Sequence, residues 1–239
     1  MMDWFKRFRK QAGPARKLKT RSAAVGTLHV ELAEFAPAVV PFLGLVSYLK
    51  LELYTQSSRA VVAAPSLEAK SVLAEVAAEA LSKQQRFTEQ LRKRGEDPHE
   101  AMEPFAGLID RYLERIAADD WHEHVLSVYL VSGLFDGFFA SLAGGIKDGF
   151  TAEAIEILAD NTGRDRLREL LAEQIEEIPG LSDRLALWGR RLVGDTLLVA
   201  RGVLALSEHR TFNANEMEPV FTELIADHIR RMDGLGLTA

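Results

Sequence analysis

The sequence predicts an all-α protein. Long segments carry apolar residues at helical spacing, their ends are marked by capping residues and by Gly or Pro, and no run alternates apolar and polar residues between turns. The connections are short, which favours antiparallel neighbours packed as a bundle. The clearest segment is Arg184 to Gly202, with apolar residues at Leu185, Trp188, Leu192, Val193, Leu197, Val199 and Ala200 and Arg190, Arg191 and Arg201 partly off that face.

In chain order, Met1 to Gln11 reads as a short amphipathic helix, with Trp4, Phe5 and Phe8 on one side and basic residues around them. Gly13 and Pro14 end it. Leu28 to Ala64 reads as one long helix bent by Pro37 and Pro41. Pro65 breaks it, and Ser66 caps a helix that Gly95 closes after Arg94. Asp97-Pro98 opens the next segment, restarted at Pro104 and continuing to about Ala118. Asp119 or Asp120 caps a helix from Trp121 to about Leu142, followed by a break at Gly144, Gly145 and Gly149. Thr151–Asp160 and Arg164–Ile178 are shorter helices. Ser182 is the expected N-cap of the helix around Trp188, and Asn213 or Asn215 of a last helix that runs to Met232 and stops at Gly234.

Composition narrows the classes. The chain has 239 residues, enough for one sizeable core. With no cysteine there is no disulfide, thiol nucleophile or thiolate metal site, which fits a reducing, cytoplasmic interior. Residues 1–21 hold eight Lys and Arg against Asp3 alone, +7 in all, so the remainder carries −13 of the net −6. Residues 1–26 are therefore read as a basic arm and 27–239 as the bundle domain. The residues Trp4, Phe5, Lys6, Arg7, Phe8, Arg9 and Lys10 are the expected contact with an anionic membrane surface or with RNA phosphate, against the alternative of a solvated tail. No DNA sequence readout is expected, and a homo-oligomer is compatible with the sequence. Val125 to Ile146 is long enough to span a bilayer but is interrupted by Asp136 and several glycines, so a buried bundle helix is the expectation.

Enzyme signatures are few. There is no phosphate-binding Gly-x-x-x-x-Gly-Lys-Ser/Thr loop and no Gly-x-Ser-x-Gly elbow. Gly133, Gly137, Gly144 and Gly145 read as close packing and a break. A carboxylate di-iron bundle needs two Glu-x-x-His motifs, and of the six histidines only His99 follows a Glu by three, from Glu96 across the break at Asp97-Pro98. Counting outward from Pro65 puts Glu52 and Glu79 at nearly the same height on antiparallel helices, with Lys50 and Lys83 close to that level and able to neutralise them. Asp136 and Asp195 lie in the most apolar stretches of two further helices. Asp119-x-x-His122 and Asp120-x-x-x-His124 put acid and imidazole on one helix face, as a metal or acid–base site or as a capped surface helix start.

Four segments together resemble a known family: Ala64-Pro65-Ser66-Leu67, the run from Asp97-Pro98 through Ala101-Met102-Glu103-Pro104-Phe105, Arg184 to Asp195, and the ending from His228 to Leu237. They are similar to the actinobacterial ferritin-like proteins grouped with the tRNA methylthio-isopentenyl-adenosine hydroxylases. From about Leu28 to the C-terminus, the resemblance implies a ferritin-like four-helix bundle with additional helices. In the active hydroxylases it implies a non-haem di-iron centre that activates dioxygen. It also implies a Glu near position 50, where this chain has Lys50, and a Glu-x-x-His where it has Ala80 and Lys83. Glu52, Glu79, Asp136 and Asp195 are the remaining ligand candidates. The expectation is a non-catalytic relative without a cofactor, acting by binding. The alternative is an active di-iron tRNA hydroxylase, an oxidoreductase with an atypical ligand set.

Overall fold

The computed structural model describes residues 32–205 and 214–238. The basic arm, including Trp4 to Lys10, lies outside the described residues. Within them every regular element is a helix, and the protein is all-α.

A 3₁₀ turn, Leu32–Phe35, leads to α1, Val39–Val62. The long helix expected from Leu28 is instead broken at residues 36–38. Pro37 falls in that break, and Pro41 sits in the first turn of α1, where a missing N–H leaves no intrahelical bond unmade. Ser66 caps α2, Leu67–Lys93, accepting the Ala69 N–H at 3.1 Å. Ser66→Ala is expected to cost about 1 kcal/mol, read as a fall in Tm of about 2–4 °C for a chain of this size. Gly95 ends that region with φ 79°, a left-handed value that favours glycine.

Asp97 accepts the His99 and Glu100 N–H groups and opens α3, Pro98–Arg115. This helix runs straight through Pro104 rather than restarting there. Met102, Phe105, Ile109 and Tyr112 bury one face on both sides of the proline, and that packing carries the helix past the lost hydrogen bond. Asp120, of the two candidates, caps α4, Trp121–Ala143.

The remaining helices are α5, Thr151–Ala159, α6, Thr162–Glu177, α7, Leu181–Ala205, and α8, Ala214–Asp233. Gly180, at φ 80°, makes the turn into α7. Ser182 is therefore inside the first turn and not the cap. Helix α8 starts one residue before Asn215, and Asn213 lies outside the described residues.

Helices α1 and α4 form a central wall. On one side α2 packs along α1 and α6 packs against α2 and α4; on the other α3 packs on α1 and α7 on α3 and α4. The four helices around the charged site are thus α1, α2, α4 and α6. The sequence reading had placed α7 in that set.

A line of rings threads the wall. Tyr112 of α3 meets Phe135 edge-on at 5.9 Å, and Phe135 stacks on Phe139 at 5.9 Å. Phe139 then meets Phe42 of α1 at 6.2 Å, and Phe42 meets Phe87 of α2 at 6.5 Å. Helix α4 is long and apolar enough to cross a membrane, but most of its apolar window is buried among the other helices. Two tryptophans fasten the wall by their indole N–H: Trp121 donates to the Ala60 carbonyl at 3.0 Å and Trp188 to Ser127 Oγ at 2.8 Å.

Candidate functional site

Between α1, α2, α4 and α6 the apolar core gives way to charge. Asp136, in the most apolar helix of the protein, is 3 % exposed. One carboxylate oxygen takes the ammonium of Lys50, which is 2 % exposed. The other takes Nη1 of Arg164 at 2.9 Å, with the Lys83 ammonium at 3.9 Å. Lys83 also bonds Glu79 Oε1 at 2.6 Å and donates to the Asp160 carbonyl at 2.6 Å. Glu79 Oε2 accepts the Gly163 N–H in the first turn of α6, where the helix dipole favours an anion. A Cβ on Gly163 would lie 3.2 Å from the Glu79 carboxyl carbon and 3.5 Å from Val76 Cα, so glycine lets α6 come close to α2.

Three cations therefore surround two carboxylates. Burial pushes the Lys50 ammonium below the ordinary lysine range; Asp136 opposes that shift, while Lys83 and Arg164 add to it. Bringing charges indoors is costly, and the cost is met only when partners are close and hydrogen-bonded. Here each carboxylate has at least two donors.

The four acids expected as metal candidates divide. Glu79 and Asp136 meet, together with Lys50 and Lys83. Glu52 does not join them. It lies two residues beyond Lys50, about 200° around the helix axis, and lines a cleft on the α3 side of α1. Asp195 also sits elsewhere, in a recess of about 130 Å³ beside Arg111, Tyr112 and Arg115. Arg164 completes the cluster and was not anticipated. The one hint was Gly163 at the head of a highly charged helix, a mark of close backbone approach.

The histidine-bearing start of α4 is held by capping and pairing. Asp120 also pairs with Arg184 at 3.1 Å, His124 Nε2 lies 2.9 Å from the Gln56 carbonyl oxygen, and His122 Nδ1 is 3.5 Å from Asp120. Gly133 admits the side chains of Arg164 and Arg231, with both Cδ atoms 3.0 Å from where a Cβ would stand. Arg231 donates to the Gly133 carbonyl at 2.7 Å.

A dinuclear metal centre does not fit this donor set. Ammonium and guanidinium groups offer no lone pair to a metal. The cluster has no imidazole, and both carboxylates already accept from cations or from a helix N–H. The space beside them is about 30 Å³, the room of a single water. Among the described residues no group of three or more His, Asp or Glu is arranged to hold a metal ion.

No curated protein matches the sequence. The family described as ferritin-like domain, actinomycetes, matches residues 33–214. That span takes in the whole of the central wall, the charged cluster and the helices on both sides, and the chain belongs to this ferritin-like family.

Proposed function

We propose that this chain is a non-catalytic ferritin-like protein, similar to the di-iron tRNA hydroxylases, in which an ion-paired cluster stands in place of the metal centre. The observation that supports this is Asp136, a carboxylate in the right setting for a ligand, enclosed by Lys50, Lys83 and Arg164. In this reading the protein acts by binding, and its basic arm meets an anionic partner, a lipid surface or RNA phosphate.

The test is metal analysis of the full chain expressed with added iron. The expected result is a folded protein with iron far below one per chain and no oxygen-linked absorption band. Two irons per chain with such a band would instead restore the alternative, a working hydroxylase that uses Glu79 and Asp136 once the lysines have moved aside. For the arm, removal of residues 1–21 is expected to leave the bundle folded and to weaken retention on anionic vesicles or on tRNA at least about tenfold, since several clustered cations are lost. Unchanged retention on both would end the arm's role.

A further inference from the structure

A second site lies on the opposite face of α1 from the charged cluster. A cleft of about 560 Å³ opens between the C-terminal half of α1, the C-terminal half of α3 and the start of α4. Its apolar lining is Ala60, Ala63, Leu113, Ala117, Ala118 and Trp121. Its walls carry Glu52, Asp110, Glu114, Asp119 and Asp120 against the single arginine Arg59. Asp120 is committed to Arg184, and among the described residues none of the other four acids is in an ion pair. Asp110 accepts the Tyr48 hydroxyl at 2.6 Å, and burial together with the Asp110 charge raises the Glu52 carboxyl above its usual range. An acidic cleft that is also lined by apolar side chains, Trp121 among them, fits an occupant that is cationic and aromatic.

The chain carries such a segment. Residues 1–21 hold a charge of +7 together with Trp4, Phe5 and Phe8. Chain length agrees. The 3₁₀ turn Leu32–Phe35 packs at the C-terminal end of α4, where Gly145 meets the Ala33 carbonyl, and the cleft lies at the other end of that helix, at Trp121. The 23 residues of α4 measure about 35 Å, and the ten residues from 22 to 31 reach about 35 Å when extended.

We infer that the acidic cleft between α1, α3 and α4 is the docking site of this chain's own basic aromatic arm, residues 1–21. The inference goes beyond the proposed binding role and does not need the arm to bind lipid or RNA.

The test is carbodiimide cross-linking of the full chain, which joins lysine amines to carboxylates in contact. Lys6, Lys10, Lys17 and Lys19 are the arm's amines. In the monomer, arm cross-links are expected to concentrate on Glu52, Asp110, Glu114 and Asp119. They should fall at least about fivefold between about 0.05 M and 0.5 M salt as screening shortens. Glu52→Gln with Asp110→Asn should lower those to Glu114 and Asp119 similarly. If that variant fails to fold, Arg7→Glu with Arg9→Glu alters only the arm and should do the same. Cross-links spread over acids on every face would overturn the inference, as would cross-links confined to a covalent dimer, which would make the occupant a second copy's arm. So would an absence of arm cross-links with a Tm raised by millimolar spermidine, which would give the cleft to a free organic cation.

Discussion

Asp136→Asn is expected to cost the fold about 3–5 kcal/mol, because it removes one partner of a buried pair and leaves charge behind. Asn keeps the shape of the side chain but loses its charge and turns one of the two acceptor oxygens, both used by cations here, into an NH2 donor. Lys50 is then an ammonium with no counterion inside the wall, and Arg164 loses its carboxylate. Lys83 keeps Glu79 and the Asp160 carbonyl. For a chain of this size the loss is about 6–20 °C in Tm.

The sign of the pH response follows from Lys50. Its folded pKa lies below its unfolded value, so the unfolded state holds more protons between the two. Stability from this group therefore rises with pH through that window, up to the ordinary lysine value of about 10.4. In Asp136→Asn the opposing carboxylate is gone and the window widens downward. The deficit against the parent protein, followed by thermal melts from neutral to alkaline pH, should shrink as pH rises. A deficit that grows would show that Lys50 is not the stranded charge. Replacing both partners, Lys50→Met with Asp136→Leu, should recover part of the loss, since an apolar pair of similar size is tolerated where a lone ion is not.

Gly44→Ala is the second large effect, expected to cost about 3 kcal/mol, the upper end of the range for overpacking, and thus about 6–12 °C in Tm. A Cβ on Gly44 would stand 2.7 Å from the Ala101 carbonyl carbon and nearer still to its oxygen. The obstacle is backbone, so no rotamer can relieve it, and α1 and α3 must separate. Gly149→Ala is the control, because a Cβ there meets nothing within 4 Å. Equal melting temperatures for the two variants would mean that α3 shifts freely on α1.

Much of the fold could be read from short-range chemistry. Ser66, Asp97 and Asp120 mark helix starts because a side-chain oxygen there satisfies free N–H groups, and Gly95 ends one because it takes a left-handed φ at little cost. Pro104 misled because tertiary burial outweighed a local penalty. Ser182 misled because Gly180 had already made the turn.

The site was half legible. The hinge at Pro65 placed Lys50 and Lys83 at one height, but height says nothing of direction around the axis, and Glu52 points away from Lys50's partners. Asp136 and Asp195 looked alike in sequence. They differ because α4 is covered on both flanks while α7 is packed on the outside of the wall. Arg164 was hidden because α6 carries several arginines around its buried leucine face, and only its contact with Asp136 separates this one from Arg166 and Arg168.

The shared wall has a consequence for how the molecule comes apart. The ring line from Tyr112 through Phe135, Phe139 and Phe42 to Phe87 belongs to neither flank alone. Peeling away α2 or α3 strips partners from rings whose opposite faces still serve the other flank, so neither half owns an independent nucleus. The described bundle is therefore expected to melt as one cooperative body, with a lesion on one flank felt across its full width, as coincident calorimetric and circular-dichroism transitions would check.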